Sequence, residues 1–427
     1  MLLWLTFFCC GISDSVRGPT LLDLQDLAGV ELSQVSSIIS LKSGGGLCGT
    51  VVTGLLLDCL QPSSSYLFLS VIYLFKSLCT LSLPFSPSLL AMQVVEFSYG
   101  FCAGSFHTVA NPLLLRIWAG RNSSPILYAM HFCYGVGALL TPLLATPFLG
   151  SQSELTLAST NTTTIPGQFT EVDNMWTIKT LYPIVFLVMV LPVPAYIHFY
   201  IEERREEEIS RRQTISHDPE SQDRKPDKAT QSTAAPLSRS KELLLILFTS
   251  CFYVAVSGLE NSFRSFTVAF SVNSSLQLSR TQAANVLALF YLIFALARAA
   301  LIPISIFVSS THILSLSILT LMVSTSLLSV MADTSLVCLQ LGLVLTGGGV
   351  ASLFAAGILW TKTVLHFNNK IGGVIVFSMR ISEQVFAYVI GGLMDSQPVS
   401  FLYLMSGTAS ALCTCFIIMN VVARFCK

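Results

Sequence analysis

Apolar residues run through this chain in blocks about as long as a membrane is thick, and the polar residues gather between the blocks. About 20 mostly apolar residues cross the hydrocarbon core as an α-helix, because a helix satisfies its own backbone hydrogen bonds there. On that criterion helices are expected near 2–22, 34–57, 66–84, 88–118, 124–149 and 178–200. A second set is expected near 242–270, 281–308, 311–331, 334–360, 370–394 and 399–423. Segments 88–118 and 334–360 are long enough to tilt or to extend past the hydrocarbon. Two segments carry interruptions, Asp14 and Arg17 in the first and Lys42 with Gly44-Gly45-Gly46 in the second. The first begins almost at Met1. It has neither the basic start nor the small-residue cleavage site of a signal peptide, so it reads as a span, with a short cytoplasmic leader expected to be missing ahead of it.

The pattern describes an all-α membrane protein of about twelve transmembrane helices. It divides into a six-helix half at 1–200, a charged cytoplasmic linker at 201–241 and a second six-helix half at 242–427. The linker holds Glu206-Glu207-Glu208, Arg211-Arg212, prolines and serines without an apolar face, a composition that favours a solvated tether or a short surface helix. Equal helix counts point to an internal duplication, and two spacings agree with it. Gly18 and Gly258 are 240 residues apart, and Trp118 and Trp360, at the inner ends of the fourth and tenth segments, are 242 apart. Two-halved transporters place their solute site between the repeats, near the bilayer midplane.

Composition supports the membrane reading: 53% of residues are hydrophobic and 11% charged, against roughly a quarter charged in soluble domains. Net charge is zero, so no nucleic-acid partner is expected. Most of the twelve cysteines sit inside apolar segments with no CxxC pair, as packing thiols do. No phosphate-binding loop, nucleophile elbow or zinc-ligand spacing occurs, so no enzyme, cofactor or resident metal is expected.

Lysine and arginine placement sets the orientation. With both termini cytoplasmic, the inner loops and tail hold fifteen basic residues, while the outer loops hold Lys179 and Arg280. Asn161 and Asn273 then stand in outer glycosylation sequons, and Asn122 stands in an inner one. The expected setting is a multi-pass protein of the plasma membrane, with an endolysosomal membrane left open, working as a monomer on a small-molecule solute.

Ionisable groups inside the hydrocarbon are the candidate site. Each costs at least about 2.5–3.5 kcal/mol on insertion scales, so it faces the bundle interior. Asp14 and Arg17 share a face of the first segment and can neutralise each other. The fourth carries Glu96, His107 and Asn111, with Tyr99 along the same face. His107 can titrate near neutral pH or serve as a neutral link between helices. In the seventh, Tyr253, Ser257, Glu260, Asn261 and Arg264 form a polar stripe. Glu260 can hold sodium, carry a proton or pair with Arg264. The eleventh carries Arg380, Glu383 and Gln384. Lys42 and Arg298 lie nearer segment ends and can snorkel. His131, beside Phe132 and Tyr134, reads as packing.

These residues resemble a branch of the major facilitator superfamily, the one holding the sodium-dependent glucose transporter and domain-containing protein 4. The carrying residues in the first half are Gly18-Pro19-Thr20-Leu21-Leu22-Asp23-Leu24, His107-Thr108-Val109-Ala110-Asn111, and Met130-His131-Phe132 through Gly135-Val136-Gly137-Ala138 to Pro142-Leu143-Leu144-Ala145. In the second half they are Gly258-Leu259-Glu260, Arg298 with Ile302-Pro303-Ile304-Ser305, and Ser382-Glu383. The superfamily loop motif after the second helix is degenerate, keeping Gly54 and Asp58 without its basic residues.

The resemblance implies a rocker-switch fold with two six-helix halves, and sodium-coupled sugar uptake. It carries over Glu260 and Glu383 as carboxylates able to bind sodium, and Asn111 as a polar cavity residue. His107 departs from an aspartate in the pattern. Asp14, Arg17, Arg264 and Arg380 depart from apolar or small residues. If those charges pair internally (Asp14 with Arg17, Glu260 with Arg264, Glu383 with Arg380), a neutral sugar remains the expected solute. If they face the cavity, an anionic solute with proton coupling is expected instead. A non-transporting receptor on the same fold is the third reading.

Overall fold

The computed structural model describes residues 1–56, 64–117, 123–149, 177–216, 239–365 and 369–424. Within these it excludes the side chains of 64, 111–112, 115–116, 123–125, 127, 210–216, 239–241 and 369–370. Among the described residues all regular secondary structure is helical. The first half contains α1 (Leu2–Ser15), α2 (Arg17–Ala28), α3 (Leu32–Leu56), α4 (Ser64–Ser82), α5 (Leu89–Ile117), α6 (Ser123–Ala145), α7 (Ile178–Val190) and α8 (Val193–Ser216). The second contains α9 (Arg239–Asn273), α10 (Arg280–Phe307), α11 (Ser310–Met331), α12 (Leu336–Val364), α13 (Asn369–Ser396) and α14 (Ser400–Arg424).

Eleven stretches of the described residues are long and apolar enough to cross a membrane, α7 and α8 counting as one. The remaining span is α1 with α2, which meet end to end at Val16. Val16 keeps a right-handed helical backbone (φ −62°, ψ −28°), its N–H reaches the Ile12 carbonyl, and its own carbonyl accepts from Thr20. The interruption has a covalent cause: Pro19 has no N–H to offer the carbonyl of Ser15, one turn earlier. The chain continues through it and ends α2 at Gly29, in the left-handed conformation glycine adopts freely (φ 63°). At the two ends of the stretch 201–241, α8 runs on to Ser216 and α9 begins at Arg239, as the short surface helix expected there allows. Glutamate and arginine are strong helix formers, so the charged stretch extends the span as helix.

Within the first half α1 packs on α6 and α3 on α5, and within the second α9 packs on α13 and α14 and α12 on α10 and α11. The halves meet along two long seams, α3 against α13 and α6 against α10. A shorter contact joins α2 to α9 at the end that the basic-residue bias places outside.

The glycines set how near these helices lie. Gly45 and Gly49 on α3 face Gly100 and Gly104 on α5, each pair one turn apart. A Cβ on Gly45 or Gly49 would collide with the carbonyls of Phe97 or Phe101, and on Gly100 or Gly104 with those of Lys42 or Gly46. Two small-xxx-small ridges interlock, so the backbones touch. Gly11 and Gly137 do the same for α1 and α6, against the carbonyls of Tyr134 and Phe8. Dispersion between close backbones matters here because lipid supplies no hydrophobic drive between helices.

Gly100→Val should cost at least the upper part of the ~1–3 kcal/mol of core overpacking, because it meets backbone rather than a movable side chain. A markedly lower unfolding midpoint of the purified protein is expected. Gly54→Ala, where an added Cβ meets nothing within 4 Å, should leave the midpoint unchanged.

Candidate functional site

A cavity of about 230 Å³ lies between the halves, walled by α1, α3, α5 and α6 from one and α9, α10, α12 and α13 from the other. Its ionisable wall consists of Asp14 and Lys42 from the first half and Glu260, Arg264, Arg298, Arg380 and Glu383 from the second, joined by His107 and His131.

The first-half charges are held tightly. Arg17 is 2% exposed and Glu96 fully buried. The Nε of Arg17 donates to both Glu96 carboxylate oxygens, at 2.7 and 2.8 Å, and its Nη1 donates to the Ser13 carbonyl. Nη2 sits 2.7 Å from Oε1, close enough for an ion pair but not aligned as a hydrogen bond. The guanidinium also lies 3.7 Å from the Tyr99 ring centre. Arg17 therefore stands behind the wall. The expected pairing of Asp14 with Arg17 does not form, because Glu96 on α5 presents both oxygens where Asp14 presents neither.

Asp14 faces the cavity instead. It accepts the hydroxyl of Tyr99 and, at 3.5 Å, that of Tyr134, and Lys76 of α4 lies 3.5 Å away. Lys76 is fully buried. Sequence reading passed over it, although a lone lysine in the apolar stretch 66–84 was the signal that would have found it. Lys42 and Arg298, read as snorkelling groups, are in the wall. Distance from a helix end does not say which way the helix face points, and here both faces point inward.

The second-half charges form a chain. Both oxygens of Glu383 accept two hydrogen bonds: Oε2 from Arg380 and Ser43 at 3.0 Å each, and Oε1 from Asn261 at 2.9 Å and Ser257 at 3.2 Å. The amide oxygen of Asn261 accepts from Arg264 at 3.4 Å. Glu260 lies 3.6 Å from both Arg264 and Arg298, two long pairs sharing one carboxylate oxygen. Arg298 donates to the carbonyls of His131 (3.1 Å) and Ala351 (3.3 Å) and stacks 3.8 Å from the Phe294 ring centre.

Four links cross between the halves here among the described residues: Arg264 to the Tyr134 hydroxyl and, at 3.5 Å, to the Ser15 hydroxyl, Ser43 to Glu383 and Arg298 to the His131 carbonyl. At the expected outer end, Arg280 bonds Asp23 at 2.8 Å and Asp26 at 2.5 Å, and Gly18 lets α2 lie on the Arg264 carbonyl.

Of the residues singled out in the sequence, Asp14, His107, Glu260, Asn261, Arg264, Arg380 and Glu383 come together in one wall. His107 meets Phe7 and Phe106 edge-on, at 5.5 and 5.4 Å between ring centres. Gln384 lies outside the cavity, on the α3–α13 seam beside Gly44. Asn111 is on α5, and its side chain is outside the described residues, as is Asn161. Asn273 ends α9 with its side chain exposed. Among the described residues no group of three or more metal-ligating side chains gathers.

Breaking a buried ion pair leaves a bare charge, at a cost of about 3–5 kcal/mol, whereas removing both partners is far milder. Glu96→Gln should therefore sharply lower thermal stability in detergent, and Arg17→Met with Glu96→Leu should recover most of it. Equal losses in the single and double variants would show that the pair is not the element at stake.

No family model matches the chain. Major facilitator superfamily domain-containing protein 4A of Pongo abelii is 25% identical over 454 residues, covering 95% of this chain and 87% of that protein. Sodium-dependent glucose transporter 1A of Mus musculus is 24% identical, covering 96% and 93%. Among solved structures, the transporter FucP in its outward conformation is 17% identical with a TM-score of 0.62, covering 100% of this chain and 98% of that one. The nucleoside transporter NupG is 11% identical with a TM-score of 0.64, covering 98% of each. The chain is thus an integral multi-pass membrane protein with the major facilitator fold, and over nearly its whole length it resembles the sodium-dependent glucose transporter and domain-containing protein 4 branch of that superfamily.

Proposed function

We propose that this chain is a secondary transporter that moves a small polar solute by alternating access, with residues 1–200 and 242–427 as the rocking halves and 201–241 as their tether. The observation that carries the reading is the central cavity, whose charged and polar wall is contributed by four helices of each half. Polar groups at that depth mark a solute or ion path. At about 230 Å³ the space lies below the roughly 300–1,000 Å³ of pockets for drug-sized ligands, which suits a molecule of monosaccharide size. Without a phosphate-binding loop, the driving force is a gradient of solute or ion. A monomer in the plasma membrane is the simplest setting.

On the orientation favoured by the basic residues, Asp23, Asp26 and Arg280 close the outer mouth. Opening it separates α2 from α9 and α3 from α13, and so releases Arg264 from Tyr134 and Glu383 from Ser43. Each then lacks the partner that the other half supplied in the closed state. Solute arriving from outside replaces partners that the closed state supplied. Closing again restores them, so the solute is favoured in one geometry over the other, as any ligand-driven shift requires.

The relatives named for sodium-dependent glucose transport make a sodium-coupled hexose the first solute to test. In this arrangement neither carboxylate is open to sodium. Four donors occupy the oxygens of Glu383, and two guanidiniums flank Glu260. A sodium site at Glu383 would need the outward state, where Ser43 has withdrawn.

Labelled glucose uptake by cells expressing the chain at their surface tests this directly. Uptake above vector control that falls when choline replaces sodium, and falls at least tenfold in Glu260→Gln, would support the hexose. No uptake in either medium with surface expression verified removes the sugar. Arg280→Gln removes both outer ion pairs, so spin labels on the outer ends of α2 and α10 should report a larger long-distance population. An unchanged distance distribution would exclude these pairs as the outer gate.

A further inference from the structure

We infer that the solute carried by this cavity is an anion, an organic acid of monosaccharide size, and that Lys42 together with Arg380 receives its carboxylate. The inference rests on the transport reading above and names the substrate class of the same cavity.

The argument begins with the charge around the space. Arg17 and Glu96 cancel behind the wall. What remains among the described residues is Lys42, Lys76, Arg264, Arg298 and Arg380 against Asp14, Glu260 and Glu383. Four cations and three carboxylates line the space, Lys76 stands behind Asp14 as a fifth cation, and the two histidines bring no negative charge. Each carboxylate is already engaged: Asp14 with Lys76, Glu260 with two arginines, Glu383 with Arg380. A cationic solute would meet no unoccupied carboxylate. A neutral solute would leave the excess positive charge inside the membrane, where an uncompensated charge is costly. An anion compensates it.

The position of the excess is local. Lys42 makes no ion pair or hydrogen bond among the described residues, and it lines the cavity. Its backbone is held by the close approach of Gly100 to its carbonyl, so its place on the α3 face is set by packing. One turn further along α3 is Gly46, and the Arg380 guanidinium from α13 lies over it, 3.3 Å from where a Cβ would stand. Gly46 leaves room for Arg380 to lie against α3 one turn from Lys42. Arg380 spends one nitrogen on Glu383 at 3.0 Å. The two therefore offer an ammonium and a partly used guanidinium fork to one cavity from neighbouring turns of its α3 wall, and a fork of that kind grips carboxylates. Hydroxyls and amides for the rest of a polyhydroxy acid stand around them on Tyr99, Tyr134, Thr50, Thr108 and Asn261. Lys42 is on α3 and Arg380 on α13, so the carboxylate would bind across the moving seam.

The test compares glucuronate with glucose, two probes with the same ring, one of which carries a carboxylate. Thermal unfolding of the purified full chain in detergent is followed at matched ionic strength. Glucuronate should raise the midpoint by several degrees and glucose should not. The gain should vanish in Lys42→Gln, persist in Lys42→Arg, and persist in Lys179→Gln, which alters an exposed lysine at the start of α7. Amine labelling of the unaltered protein gives an independent reading: glucuronate should slow modification of Lys42 at least several-fold and leave Lys179 unaffected. An equal shift from glucose, a shift that survives Lys42→Gln with no protection of Lys42, or no shift from glucuronate each overturns the anion assignment. If glucose uptake is nevertheless found, the transport reading stands without it. If neither compound binds or is taken up, both readings fall.

Discussion

The arrangement depends on one constraint: charges carried into the hydrocarbon must find partners inside the bundle. Each costs at least about 2.5–3.5 kcal/mol at mid-bilayer on insertion scales, and more when left bare. Among the described residues at least ten such groups are buried or half-buried in the spans, among them Arg17, Lys76, Glu96 and Arg298. No helix can satisfy them alone. Arg17 of α2 needs Glu96 of α5, Asp14 of α1 needs Lys76 of α4, and Glu383 of α13 needs Ser43 of α3 as well as its own neighbours. The pairing scheme ties the helices of each half together and then ties one half to the other.

Close backbone packing is what lets the pairs form. The interlocked glycines of α3 and α5 hold together the two helices that carry Lys42 and Tyr99 into the cavity wall. Gly11 and Gly137 do the same for Asp14 and Tyr134 across α1 and α6. Gly135, two residues earlier on the opposite face of α6, lies against Ala295 of α10. The Gly135-Val136-Gly137 block thus lets a single helix lie close to its own half on one side and to the partner half on the other. The resemblance pointed to these glycines without giving the reason.

Much of this was legible in the sequence. The twelve apolar blocks, the polar stripe of α9 and the carboxylates at Glu260 and Glu383 follow from period and composition alone. What periodicity could not reach is pairing between helices. Asp14 and Arg17 are three residues apart and look like partners, yet Tyr99 separates their roles, taking Asp14 by its hydroxyl and Arg17 by its ring. Lys42 looked peripheral because it lies ten residues from the start of α3, although its helical face points inward. Lys76 was overlooked because hydropathy averages out a single cation. In each case the decisive information was which neighbouring helix stands opposite, and one sequence read by itself does not contain it.

The two halves handle their charges differently, and that difference bears on mechanism. In the first half the Arg17–Glu96 pair is short, two-pronged and shut away from the cavity, so its exchange with water or solute would leave a buried charge bare. It acts as a rivet. In the second half Glu260 is shared at 3.6 Å by two arginines, and Glu383 takes donors from both sides of the α3–α13 seam. Long or shared contacts forfeit little when a solute oxygen replaces them, because Arg264 keeps Tyr291 and Arg298 keeps the Ala351 carbonyl within the second half. The proposed transport needs a stiff body and an exchangeable wall. Here the stiffness comes from short pairs within the first half, and the exchangeable contacts sit where the halves must part.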